Sequence, residues 1–286
     1  MNETEYINQW ASSYKDDIMN DIMPFWMKHG LDRKHGGAYT CIDRDGSIID
    51  TTKSVWFQGR FGFIAAFAYN NIEKNPEWLS ASKSCIDFIE THCFDTDGHM
   101  FFEVTEEGTP LRKRRYVFSE GFAAIAMAEY ALATGDNKYA ERALEIFKSI
   151  QHFLQTPGLL EPKYLPSLEA RGHSITMILI NTASRIRMVV DDPVLTEQID
   201  RSIAALRQYF IHPEFKALLE MVGPNGEFID TCNGRLINPG HCIETAWFIM
   251  EEAKYRNWDK DLLQLALQIL DWSWEWGWDK EFGGII

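Results

Sequence analysis

Hydrophobic residues recur along most of this chain at the three- and four-residue spacing of amphipathic helices. In residues 138–154 the apolar stripe consists of Tyr139, Ala143, Ile146, Phe147, Ile150 and Leu154. The same periodicity predicts nine helical segments, at 4–29, 54–74, 77–92, 119–134, 138–154, 173–190, 195–211, 241–257 and 260–272. The pattern therefore predicts an all-α fold.

Three short β-prone stretches separate pairs of these helices, at residues 36–49, 100–111 and 218–229. Each contains a turn signal, such as Asp45-Gly46 in the first, and each is interpreted as a β-hairpin. Strands do not alternate regularly with helices, which argues against a parallel α/β sheet. The order helix, helix, hairpin returns roughly every 55–70 residues, which indicates stacked helix pairs. Without a linker-like segment, residues 1–286 are predicted to form a single domain.

One short motif occurs twice, once near each end of the sequence. Asp32 is followed by Gly36-Gly37, and Asp279 is followed at the same spacing by Gly283-Gly284. The first copy leads into a hairpin, whereas the sequence ends at Ile286, where the second hairpin is expected. A ring of helix pairs covers its apolar edges only when it closes. An odd number of helices therefore predicts that further helices complete the ring.

Composition narrows the function classes. A net charge of −14 argues against nucleic-acid binding, which requires a basic surface. Five cysteines without a C-x-x-C pair indicate neither a disulfide framework nor a zinc site, and the histidines lack metal-ligand spacing. His29 and His35 are the pair that could form a site, and exposed loop positions explain them equally simply. P-loop, dinucleotide-binding and hydrolase motifs are absent. Without a signal-peptide pattern or a membrane-spanning apolar run, we predict a cytoplasmic protein with no metal and no membrane contact.

The segment NPGHCIE, residues 238–244, is the strongest candidate for chemistry. Pro239-Gly240 interrupts the preceding segment, and a helical pattern follows, so His241 and Glu244 lie one turn apart on one face. A histidine beside a carboxylate can act as a general acid or base near neutral pH. A structural role explains the same residues: His241 caps the helix, and Glu244 in its first turn interacts favourably with the helix dipole.

Two further segments place charges in apolar surroundings. Arg60, close to Trp56 in VWFQGR, is a cation in an aromatic stretch, and burying it requires a partner or a cleft that binds an oxygen-rich ligand. Arg115 and Glu120, in RRYVFSEGF, form an ion pair or line a cleft. Glu220, in the apolar context LLEM, leaves the same alternatives open.

Together these segments resemble the N-acylglucosamine 2-epimerase family. The resemblance is carried, in the family's order, by FWMKHGLDRKHGGAYTCIDRDG, VWFQGR, RRYVFSEGF, INPGHCIETAWF and GWDKEFGG. It implies an (α/α)6 barrel of twelve helices, of which the nine predicted here are three quarters. The family's W-W-x-H-x-E-A motif, which carries a second catalytic histidine, is not found in this sequence. The resemblance therefore implies that this chain is incomplete and does not epimerise the sugar at a useful rate by itself, although half of the site would still exchange the C2 hydrogen of one epimer.

The activity implied by the resemblance is interconversion of N-acetyl-D-glucosamine and N-acetyl-D-mannosamine through an enediolate. His241 is the implied acid or base, Glu244 orients it or assists ring opening, and Arg60 stabilises the oxyanion. The residues implied to contact the sugar are Trp56, Arg115, Glu120 and Glu220. No metal or redox cofactor is implied, while ATP is expected as a non-hydrolysed activator and a homodimer as the assembly. An aldose–ketose isomerase and a non-catalytic binding protein remain the alternatives.

Overall fold

The computed structural model of the chain describes residues 2–113, 116–161 and 168–286. Its contacts divide these residues into two compact units. The first unit comprises the chain up to Leu160 together with Met188–Val190, and the second comprises Glu161–Arg187 and Asp191–Ile286. The extent of the domain, 1–286, stays a prediction.

The helices of the described residues follow the predicted periodicity. They are α1 (Glu3–Asp17), α2 (Met23–His29), α3 (Val55–Asn71), α4 (Pro76–His92), α5 (Phe118–Thr134), α6 (Asn137–Gln155), α7 (His173–Arg187), α8 (Pro193–Ala205), α9 (Pro239–Tyr255) and α10 (Lys260–Gly277). A π-helical turn at Ile18–Ile22 joins α1 to α2, and another at Leu206–Phe210 extends α8. The nine predicted segments therefore correspond to nine continuous helical runs in this part of the chain.

The strands are short and antiparallel. They are β1 (Cys41–Ile42), β2 (Ile48–Asp50), β3 (Lys53–Ser54), β4 (Phe101–Val104), β5 (Pro110–Lys113), β6 (Arg171–Gly172), β7 (Ile211–His212), β8 (Ala217–Leu218) and β9 (Met221–Val222). β1 pairs with β2, and β4 pairs with β5 and with β3. These pairings confirm the first two predicted hairpins.

The third predicted hairpin, at residues 218–229, is wrong. β8 pairs back with β7, which directly precedes it, and β9 pairs with the distant β6, so neither pairs with a strand that follows β9. After β9 the chain closes a tight turn in which the Gly223 N–H donates to the Glu227 carbonyl. The Glu220 N–H, between the two strands, donates to the Leu236 carbonyl. The preceding β7 and the distant β6 and Leu236 thus pair with the backbone groups that the predicted hairpin would have used.

In the first unit, α3 packs against α4 and α5, and α5 packs against α6. The helices α3 and α5 approach closely at Gly59, where an added methyl group would lie 2.6 Å from the Phe122 carbonyl carbon. Only glycine fits there without displacing backbone. This close approach places the next residue of α3, Arg60, beside the Phe122 ring.

In the second unit, α7 packs against α8 and α9, and α9 packs against α10. The Asn238 side chain caps α9 by accepting a hydrogen bond from the His241 N–H, at 3.2 Å, and Pro239 occupies the first turn. Deeper in the unit, Arg187 forms an ion pair with Glu252, and the two side chains are only 7% and 0% exposed. The cap and the proline together determine where α9 begins, and with it the position of His241.

The repeated Asp–Gly–Gly motif forms the same loop in both places. The Asp32 N–H donates to the Gly37 carbonyl, and the Asp279 N–H donates to the Gly284 carbonyl. All four glycines have positive φ, between 74° and 93°, so glycine is required. In the first copy, the buried Lys53 ammonium donates to the Asp32 carboxylate at 2.7 Å. The structure thus confirms that the two sequence copies are structurally equivalent.

Candidate active site

Three segments of the second unit bring two histidines and a glutamate together. His173 is the first residue of α7, His241 lies in the first turn of α9, and Glu220 lies between β8 and β9. The His173 N–H donates to the Glu220 carbonyl at 3.0 Å, which ties the start of α7 to this strand segment. The starts of two helices and the segment between β8 and β9 therefore position the three side chains.

The carboxylate of Glu220 lies between the two imidazole rings. His241 Nδ1 is 3.1 Å from each Glu220 oxygen, and His173 Nδ1 is 3.4 Å from Oε2. The exposed fraction rises from 0% for the His173 side chain to 14% for Glu220 and 35% for His241. His241 is therefore the member of the group that solvent or a ligand reaches.

Glu220 is held in its ionised form. Burial raises the pKa of this carboxyl group, but hydrogen bonds from His173 and His241 outweigh burial and lower it to about 2. An ionised carboxylate only accepts hydrogen bonds, so His241 donates its Nδ1–H to Glu220. The lone pair of the neutral ring then lies on Nε2, which is the arrangement of a general base with an orienting carboxylate.

A fourth residue, Thr245, connects the two histidines from the other side. Its hydroxyl donates to the His241 carbonyl at 2.8 Å and lies 2.9 Å from His173 Nε2. Thr245 thereby links the buried His173 ring to the first turn of α9.

The sequence predicted Glu244 as the carboxylate that orients His241. In the structure the carboxylate in contact with the His241 ring is that of Glu220. Glu244 lies one turn along α9 and is exposed. His173 and Thr245 were not predicted, because 47 residues separate His173 from Glu220 and no local motif joins them. One signal was present: both histidines follow a glycine at the start of a helix, in Gly172-His173 and Gly240-His241.

The remaining candidates lie in the first unit. Arg60 is exposed, and its guanidinium carbon lies 4.3 Å from the centre of the Phe122 ring. Trp56 is half-buried and packs against Phe118 and Phe102, with ring centres 5.1 and 5.2 Å apart. Arg60 also lines a largely apolar cavity of about 260 Å³. The predicted roles of Arg60 and Trp56 in sugar binding stay predictions.

Glu120 is almost entirely buried, with 1% of the residue exposed. One carboxyl oxygen accepts a hydrogen bond from the Met100 N–H at 2.9 Å, and burial raises the pKa of the group to about 7. Its predicted contact with a sugar hydroxyl stays a prediction. Arg115, the other candidate in that segment, lies outside the described residues.

The sequence shows no metal-ligand spacing, but the folded chain brings candidate metal ligands together. Within the described ranges, potential ligand atoms of His173, Glu220 and His241 all lie within 4.8 Å of one another. His35 forms a second such group with Glu106 and Glu107. The sequence-based prediction considered only residues close in the chain, and both groups combine distant segments.

Comparison with solved structures identifies the fold class. A cellobiose 2-epimerase from Bacillus thermoamylovorans superposes with a TM-score of 0.85 at 20% sequence identity, over 96% of this chain and 74% of that chain. This likeness confirms the predicted all-α class and the (α/α)6 barrel type of fold. No helix among the described residues is both long enough and apolar enough to cross a membrane.

Comparison of sequences identifies the family. The family model for N-acylglucosamine 2-epimerase matches residues 37–286. N-acylglucosamine 2-epimerase from Rattus norvegicus is 28% identical over 99% of this chain and 69% of its own length. The Homo sapiens enzyme is also 28% identical, over 99% of this chain and 68% of its own length. The chain belongs to the N-acylglucosamine 2-epimerase family, and its function class is a sugar 2-epimerase, an isomerase.

Proposed function

We propose that this chain carries the acid–base site of an enzyme that interconverts N-acetyl-D-glucosamine and N-acetyl-D-mannosamine. The observation that supports the proposal is the hydrogen bond between His241 Nδ1 and ionised Glu220 at the start of α9. It gives a member of this sugar 2-epimerase family a histidine oriented as a base. The names of the rat and human relatives support the choice of N-acylated amino sugars.

The reaction begins once the sugar ring has opened, because the C2 proton is acidic only beside an aldehyde at C1. His241 Nε2 removes that proton, and the pair of electrons moves into an enediolate. Glu220 stabilises the imidazolium that forms, since its negative charge lies 3.1 Å from Nδ1. General acid–base groups of this kind contribute about 10²–10⁴-fold to the rate.

The other roles follow from the resemblance to the family. Arg60 stabilises the developing oxyanion, as fixed positive charges do in such sites. Glu244, exposed one turn after His241, assists ring opening. Trp56, Arg115 and Glu120 contact the sugar. Return of the proton to the opposite face of C2 completes the inversion and requires a second acid.

We also propose a cytoplasmic homodimer that requires no cofactor and accepts ATP only as a non-hydrolysed activator. The reaction moves a proton and removes no electrons from the sugar, so it needs no redox group. Five unpaired cysteines among the described residues support a reducing compartment. The net charge of −14 supports a protein that does not bind nucleic acid.

Proton NMR of each sugar in D₂O tests the proposal. We expect the chain to exchange the C2 hydrogen of at least one epimer for deuterium, and His241→Ala to lower that exchange by about 10²–10⁴-fold. His152→Ala, which removes an exposed histidine on α6, is the matched control and retains exchange. A folded His241→Ala variant with normal exchange contradicts the proposal. Conversion of mannose to a ketose in place of exchange would favour the isomerase alternative.

A further inference from the structure

Three side chains of the second unit place metal-binding donor atoms next to one another. His173 Nδ1 lies 3.4 Å from Glu220 Oε2, and His241 Nδ1 lies 3.1 Å from each oxygen of the same carboxylate. The His173 side chain is fully buried and that of Glu220 is only 14% exposed, so water competes little for these atoms. The cluster therefore offers a cation two imidazole nitrogens and a carboxylate in a largely enclosed position.

The ligand types and their separations fit a transition metal. Two imidazole nitrogens and a carboxylate are donors that zinc prefers. Bonds of about 2.0–2.1 Å in tetrahedral geometry place ligand atoms about 3.3 Å apart. The two contacts of Glu220 measure 3.1 and 3.4 Å, and all three ligand atoms lie within 4.8 Å of one another.

We propose that His173, Glu220 and His241 form a binding site for a divalent transition-metal cation, represented by Zn²⁺, that inhibits the enzyme. On binding, Zn²⁺ replaces the proton on His241 Nδ1, and that proton leaves to solvent. The metal holds the ring and Glu220 together and withdraws electron density from the base. The inhibition rests on the proposed function, whereas the binding does not.

The His35 group provides an internal control for the binding experiment. This group combines one histidine with two carboxylates, Glu106 and Glu107, and it lies in the first unit, whereas the proposed site lies in the second. Variants at His35 therefore remove a competing metal site without changing the proposed one. His173→Gln and Glu220→Gln each remove one ligand of the proposed site and keep a side chain of similar size.

Zn²⁺ titration by calorimetry, with circular dichroism to verify folding, tests the binding. We expect His35→Gln to bind Zn²⁺ at the proposed site as the wild type does. Folded His173→Gln and Glu220→Gln should lose Zn²⁺ binding there or bind it at least about tenfold more weakly. Co²⁺ gives an independent reading, because a visible absorption band from nitrogen coordination should disappear in the same variants. Equal Zn²⁺ binding by wild type and either folded variant would overturn the proposal.

The activity measurement separates this inference from the proposed function. We expect Zn²⁺ to inhibit C2 hydrogen exchange over the concentration range in which it fills the site, EDTA to reverse the inhibition, and Mg²⁺ to have no effect. Zn²⁺ binding to a chain without exchange activity would contradict the proposed function and leave the metal site intact. Unchanged exchange with the site filled would overturn the inhibitory role.

Discussion

Replacing Glu120 by glutamine should change how the stability of the protein depends on pH. Glu120 is 1% exposed, and its Oε2 has no hydrogen-bond partner among the described residues. A carboxylate there costs free energy because burial removes its hydration, so the folded protein favours the neutral acid. Glutamine resembles that neutral acid and can keep the hydrogen bond from the Met100 N–H.

The size of the effect follows from the pKa of Glu120, which rises from 4.5 to about 7 on folding. The folded state binds this proton more tightly than the unfolded state does. Stability is therefore lost as the pH rises above the unfolded value, and the loss is complete above the folded value. Each unit of difference corresponds to about 1.4 kcal/mol, so between about pH 5 and about pH 8 the wild type should lose about 2–3 kcal/mol.

Urea unfolding of wild type and Glu120→Gln at both pH values measures this loss. The free energy of unfolding of the wild type should fall by about 2–3 kcal/mol more than that of Glu120→Gln. Only the change with pH is compared, so any constant cost of burying the introduced amide cancels. Glu141→Gln, at an exposed position on α6, is the matched control and should follow the wild type. Parallel pH dependence of wild type and Glu120→Gln would refute the reasoning.

Four further outcomes test other parts of the structure. Gly59→Ala should lower the free energy of unfolding by about 1–3 kcal/mol, measured in urea, because its methyl group meets the Phe122 backbone at 2.6 Å; an unchanged value would show that α3 and α5 separate easily. Glu252→Ala should cost about 3–5 kcal/mol in the same assay, because Arg187 remains buried without this carboxylate; a cost under about 1 kcal/mol would contradict it. In a version extended to the family length, Arg60→Lys should reduce turnover despite conserving the charge, since an ammonium does not reproduce the planar guanidinium, and full activity would make the arginine structural. EDTA should leave the activity of the full-length enzyme, purified without added metal, unchanged, and a loss that Zn²⁺ restores would contradict a metal-independent reaction.

Helix periodicity predicted most of the fold, because the helices that pack against others bury a stripe that is visible in their own sequence. α6 illustrates this, with Ala143, Ile146, Phe147 and Ile150 all buried as the pattern requires. Strand pairing was less predictable. β6 and β9 are two residues each, so neither carries enough alternation to reveal a partner.

The candidate site was only partly predictable for a similar reason. His241 could be found because a proline, a glycine and a helical pattern surround it within a few residues. Its partner Glu220 was visible only as a carboxylate in an apolar stretch, and the contact joins positions 21 residues apart. His173 is fully buried at a helix start, and only the folded chain shows that its ring faces the same carboxylate.

The two Asp–Gly–Gly loops also bear on how the chain folds. In each, the backbone hydrogen bond between the aspartate and the second glycine closes a loop of only a few residues, as from Asp32 to Gly37. Such local contacts have low contact order and a small entropic cost of closure, so they form early, before distant segments meet. The contact between Lys53 and Asp32 joins positions 21 residues apart and therefore closes a much longer loop. We therefore expect the ends of α2 and α10 to be set locally during synthesis, with burial of the lysine as a later step.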